Sequence, residues 1–97
     1  MRTSSVLLNG ATLFSTDDYP AASLRSGNEG RVRYIVSVSA SGTPIDCRIT
    51  SSSGHALLDS TTCRLVRQRA RFRPAVNIVG RATADNYLGS VEWKLPD

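Results

Sequence analysis

The feature that most constrains this chain is an alternation of side chains. Val32, Tyr34, Val36 and Val38 alternate with Arg33, Ile35, Ser37 and Ser39. A period of two marks a strand with one face on a core, and β-branched residues suit that half-buried, pleated setting. Ser41-Gly42-Thr43-Pro44 supplies turn chemistry. A second alternation follows, with Ile45, Cys47 and Ile49 on one face and Asp46, Arg48 and Thr50 on the other. Together they predict a β-hairpin over about residues 31–51. A lone hairpin is marginal in water, so the rest of the chain has to cover its apolar face.

The next segment supplies that cover. Ser51-Ser52-Ser53-Gly54 breaks the strand pattern, and a helix is expected from Ala56 to Phe72. Leu58, Thr62, Leu65, Val66 and Ala70 recur at helical spacing, while Arg64, Arg67 and Arg71 fall off that stripe. Pro74 is expected to end it. Cys63 sits at the border of the stripe, so a helix lying on the hairpin brings it to inward-facing Cys47. These are the chain's two cysteines. Their spacing is neither Cys-x-x-Cys nor a four-ligand zinc pattern, and one histidine leaves a metal site short of ligands. A disulfide closing the intervening loop is worth roughly 3 kcal/mol in the chain-entropy model and implies an oxidising compartment. Two buried free thiols in a cytosolic protein stay open as the alternative at this point.

The flanks complete the pattern. In residues 1–16, Asn9-Gly10 lies between the short apolar runs Val6-Leu7-Leu8 and Ala11-Thr12-Leu13-Phe14, a hairpin signal. This extension is read as a short hairpin or a flexible lead, with the domain proper over 17–97. Asp17 and Asp18 ahead of Pro20, with Gly27 afterwards, predict a short helix over about 17–26. Residues 74–86 read as a loop in which Val76, Ile78 and Val79 are candidates to pack. The last segment alternates again, with Tyr87, Gly89, Val91, Trp93 and Leu95 against Leu88, Ser90, Glu92 and Lys94. The fold class is α+β: a three-stranded antiparallel sheet with two helices packed on one face.

Composition narrows the function. At 97 residues the chain makes one domain, with a formal charge of +4. Arg64, Arg67, Arg69, Arg71 and Arg73 form a cluster without an acid, read as a solvated helix face. Nucleic-acid binding is not expected, because Tyr34, Tyr87 and Trp93 fall on the core faces and the open face offers Ile35 and Leu88. An enzyme is not expected either: His55 follows Ser51-Ser52-Ser53-Gly54 with no supporting acid motif. No stretch approaches the ~18 apolar residues of a membrane span, and no signal peptide is evident. A disulfide requires export, so the sequence is expected to be part of a longer protein, with Met1 an added start. No cofactor or metal is expected.

The segments, taken in order, resemble the TonB C-terminal domain family over about residues 17–96. The residues that carry the resemblance are Asp18-Tyr19-Pro20-Ala21-Ala22-Ser23-Leu24-Arg25, Glu29-Gly30-Arg31-Val32, the turn Ser41-Gly42-Thr43-Pro44, and Ile49-Thr50-Ser51-Ser52-Ser53-Gly54 with Leu58-Asp59. Arg71-Phe72-Arg73-Pro74 is a family-like close to the helix, and Val91-Glu92-Trp93-Lys94-Leu95 matches the last strand. Each piece is common alone; their order and spacing are specific. The cysteines are not general to the family and look like a subgroup with a helix-to-hairpin disulfide.

The resemblance implies a periplasmic module at the end of an inner-membrane energy transducer driven by a proton-motive motor. Such modules bind the TonB box, a short extended segment of outer-membrane TonB-dependent transporters, by strand addition. The receiving strand would be Asn86, Tyr87, Leu88, Gly89, Ser90, Val91, Glu92, Trp93, Lys94 and Leu95, with Leu88, Ser90, Glu92 and Lys94 facing away from the helices. Trp93 is read as core rather than as a direct contact. The stretch before Tyr-Pro, here Thr16, Asp17 and Asp18, would also touch the peptide. The two acids depart from the glutamine or proline common there and also suit a helix start. The sequence given does not include the membrane anchor and proline-rich spacer of a full transducer; a part cut from a longer protein is the preferred expectation, with an unanchored paralogue the other reading. A related fold with another partner, a TolA-like adaptor for envelope proteins or peptidoglycan, is the alternative. A monomer with some tendency to form a homodimer through its edge strand is expected.

Overall fold

The structure, a computed structural model, describes residues 2–96. Met1, the expected added start, and Asp97, the expected last residue of the domain, lie outside the described residues. In chain order the elements are β1 (Val6–Leu7), 3₁₀ turns at Gly10–Thr12 and Thr16–Asp18, α1 (Ala21–Ser26), β2 (Gly30–Val38) and β3 (Pro44–Ser51). There follow α2 (Ala56–Arg69), β4 (Phe72–Arg73), β5 (Ala75–Val76), β6 (Ala82–Thr83) and β7 (Asp85–Trp93). The main sheet is antiparallel in the order β3-β2-β7, with the helices over one face, as the alternation requires.

Val32, Tyr34, Val36 and Val38 are all buried beneath α2, whose buried side chains include Leu58, Thr62, Cys63, Leu65 and Val66. The core has two parts. Leu13, Tyr34, Val36, Val38, Val66 and Phe72 pack around the Cys47–Cys63 disulfide, whose Cα atoms are 5.4 Å apart. Tyr19, Val32, Leu58, Leu65 and Trp93 form the other part. The disulfide joins β3 to α2, so the free-thiol alternative is set aside.

Several expectations are corrected. The Asn9-Gly10 hairpin is absent: Val6–Leu7 pairs instead with Phe72–Arg73, and Asn9 holds α2's exit, its side chain donating to Arg69 O and accepting from the Arg71 N–H. Helix α2 ends at Arg69, before Pro74 acts, because Phe72 is 5% exposed in the core and its N–H reaches Gly42 O. Gly42 makes that contact possible: its φ is +84°, and a Cβ there would lie 2.2 Å from Phe72 O.

The first helix is likewise shorter than expected. Tyr19 precedes proline, which disfavours the α region, and takes φ −63°, ψ 122°; the helix begins at Ala21 and is capped by left-handed Gly27. Ile45 points outward rather than inward, at 63% exposure, because Ser37 pairs with Asp46 but Val38 with Pro44, leaving Ile45 as an unmatched bulge residue. The expected loop contains the β5–β6 hairpin, with Ile78 and Val79 exposed at its turn.

Candidate functional site

Strand β7 lies at one side of the sheet, and among the described residues no strand pairs with its outer edge. It matches β2 at nine consecutive positions without a register shift, from Gly30↔Trp93 to Val38↔Asp85. Its outer edge is therefore regular, and alternate residues present N–H and C=O groups outward. Along it Asn86, Leu88, Ser90 and Glu92 are exposed, and Asp85, Tyr87, Gly89 and Val91 half-buried on the helix side. Lys94 and Leu95 lie just beyond the strand, the Leu95 N–H donating to Glu29 at 2.7 Å.

The far end of β7 is anchored rather than presented. Trp93 is 4% exposed, donates its indole N–H to Thr62 Oγ1 at 2.9 Å, and takes Tyr19 edge-on at 5.3 Å between ring centroids. Thr62 in turn donates to Leu58 O at 2.8 Å. Tyr19 spans α1, its hydroxyl donating to Asn28 O; burial, then Glu29, raises its pKa. Gly89 is required where it stands, because the Tyr34 ring of β2 lies over it: a Cβ would come within 2.5 Å of Tyr34 Cζ. Burial, then neighbouring Tyr87, pushes the Tyr34 hydroxyl up to about 12.

Beside this anchor, a groove of about 370 Å³ is lined by Phe14, Ser15, Thr16, Tyr19, Val91, Glu92, Trp93 and Lys94. The fold thus brings the segment before Tyr-Pro against the last strand. Thr16 lines the groove, but Asp17 and Asp18 do not. Asp18 faces α2 and is chelated by Arg69 through two bonds of 2.7 Å. It also accepts the Ser15 N–H at 2.8 Å and the Ser15 hydroxyl at 3.1 Å. The Arg69 hydrogen bond, assisted by Ser15 and opposed by burial, lowers its carboxyl to about 2. Phe14, Ser15 and Tyr19 are lining residues that sequence reasoning missed; their signal was only that they flank Thr16–Asp18.

The turn into α2 is held by an acid that sequence reasoning did not single out for a role. Asp59 accepts the Ser53 N–H at 3.0 Å, the Ser53 hydroxyl at 2.8 Å and the Ser52 hydroxyl. Burial pushes its pKa up, but the Ser52 and Ser53 bonds outweigh it and the net shift is downward. This explains why Ser52-Ser53-Gly54 and Asp59 occur together. On the open face, Arg31 and Glu92 form a 2.8 Å ion pair with both side chains 54% exposed, a contact of small net worth.

The site is a backbone edge beside a shallow groove, suited to an extended chain. Among the described residues no helix is long and apolar enough to cross a membrane. Residues 16–95 match the family described as Gram-negative bacterial TonB protein C-terminal. The chain is also similar to Protein tonB2 of Pseudomonas aeruginosa (strain PAO1), 41% identical over 58 residues, covering 60% of this chain and 21% of that protein. The matched stretch thus spans about a fifth of that curated relative's length.

Proposed function

We propose, from the premise that the chain belongs to the Gram-negative bacterial TonB protein C-terminal family, that this periplasmic domain takes up the TonB box of outer-membrane TonB-dependent transporters as a fourth strand on β7. The observation that carries the reading is the shift-free outer edge of β7 with the Phe14–Thr16 groove at its end. Backbone pairing asks little of the domain's side chains, so one edge can serve several transporters. Leu88, Ser90, Glu92 and Lys94 modulate the fit from the open face, and Thr16 from the groove. A TonB box that orders on docking loses conformational freedom, which keeps affinity modest.

Load placed on β7 passes into the core at two points: Trp93 on Thr62 of α2, and β2 with its neighbour β3, which the disulfide ties to α2. In the full-length protein, an inner-membrane anchor and the proton-motive motor complex would supply that load for nutrient uptake. The family is one of binding and transduction, not of enzymes.

An NMR titration of the oxidised domain with TonB-box peptides tests the reading. Amide shifts should concentrate in Asn86–Leu95 and Thr16–Tyr19, and a peptide N-methylated at alternate positions should lose binding where its N–H faces β7. If several authentic peptides leave those amides unmoved, the reading fails. An adaptor for other envelope proteins or peptidoglycan would then take its place.

A further inference from the structure

The end of the molecule opposite Trp93 carries a ribbon that peptide docking does not use. Only Pro74 separates β4 from β5, and only Ala84 separates β6 from β7. Segment β1 pairs with β4, and Thr3 bridges to Val76, so the chain leaves the Asp85 end of the sheet as a narrow arm. From Ala82 to Trp93 the backbone is nearly continuously extended. At ~3.3 Å per residue this run covers roughly 40 Å, most of the molecule's 51 Å long axis.

The arm's turn has a fixed shape. Asn77 Oδ1 accepts the N–H groups of Val79 at 3.1 Å and Arg81 at 3.0 Å, and the Asn77 N–H donates to Arg81 O at 2.9 Å. Yet the side chains it displays are apolar: Ile78 is 77% and Val79 72% exposed. Back along the ribbon Leu8 is 61% and Val6 42% exposed, so four of the eight exposed large hydrophobics among the described residues belong to this end. Exposed Arg2, Arg71, Arg73 and Arg81 stand around them. Of the described acids, Asp85 at the arm's root is held by the Ser5 N–H and hydroxyl, each at 3.0 Å, and Asp46 stands on β3, two strands away.

We propose that this arm docks on the surface of an anionic phospholipid bilayer, with Ile78 and Val79 entering the acyl boundary and the arginines meeting lipid phosphates. An apolar tip backed by cations is the arrangement that interfacial anchors use. The charge argues against a second copy, whose arm would bring the same arginines. The inference does not depend on the peptide-docking reading, which concerns β7's outer edge.

Co-sedimentation with vesicles of phosphatidylcholine, and of phosphatidylcholine with about a third phosphatidylglycerol, tests it. The domain should bind the anionic vesicles and bind the zwitterionic ones far less. Val79→Asp should lower the bound fraction by at least about fivefold, and Arg73→Glu with Arg81→Glu should remove the preference for anionic lipid. Leu57→Asp, an exposed apolar site on α2, serves as the control and should bind as the parent does. Circular dichroism and the buried Trp93 fluorescence report that each variant is folded. Absence of vesicle binding, or Val79→Asp losing no more than Leu57→Asp, overturns the proposal. If Val79→Asp instead abolishes self-association without vesicle binding, the arm is a contact between copies and the lipid proposal is wrong.

Discussion

At the residue scale, a few side chains brace the candidate site from within the domain. Asp18 is one: its carboxyl is 11% exposed and shared between Arg69 and Ser15. A carboxyl whose folded pKa lies below its ordinary 3.8, here at about 2, adds stability above the ordinary value and loses it as pH falls through that interval. Asp59 and Asp85 are lowered too, Asp85 first by the Ser5 N–H bond, so the whole domain should soften in acid. Asp18→Asn should therefore melt lower than the parent near about pH 7, with the gap closing between about pH 4 and pH 2. Thermal melts across that range decide it; a constant gap would show that Asp18's charge contributes nothing. Gly89 is the second case. Gly89→Ala drives a methyl into the Tyr34 ring and should cost about 1–3 kcal/mol in urea unfolding. A neutral result would mean that Tyr34 moves aside without loss.

At the scale of elements, period-two and helical patterns were legible because they depend on near neighbours. The faces of β2 and β7, the start of α2 and the pairing of Cys47 with Cys63 all follow from spacing. What was not legible depends on distant partners. Asn9-Gly10 reads as a hairpin turn until Phe72–Arg73 arrives to pair with Val6–Leu7. Phe72 reads as the last helical residue until Gly42 and the core require it in extended backbone. For the candidate site, β7 was legible as a strand from its alternation, while its role as the receiving edge comes from the family resemblance and belongs to the proposal. Asp18's bond to Arg69, 51 residues away, was not legible, and that bond makes Asp18 a brace between the segment before Tyr-Pro and α2. The disulfide also belongs to this scale. Cys47→Ser with Cys63→Ser should lower stability by about 3 kcal/mol, yet leave the pattern of peptide-induced shifts on β7 intact wherever the domain remains folded. This is because Cys47 lies on β3, across the sheet from the proposed docking edge on β7. A lost shift pattern in a folded variant would show instead that the bridge shapes the edge itself.

For the whole molecule, the two sides of the sheet differ in how well they can accept a strand. β3 is irregular: Thr50 and Ile45 are both left unmatched by shifts in its pairing with β2. Bulges of this kind twist an edge away from further pairing. β7 has no such interruption. A domain with one protected and one regular edge can add one strand but cannot propagate a sheet, which favours a monomer or a closed pair over a filament. Any homodimer that forms should then be isologous, β7 against β7, and should use the same N–H and C=O groups as the proposed peptide. Self-association and TonB-box binding are therefore expected to exclude each other. In sedimentation velocity at increasing peptide, the dimer fraction should fall along the same curve that the NMR titration traces for Asn86–Leu95. A dimer that persists at saturating peptide would place the self-contact away from the outer edge of β7.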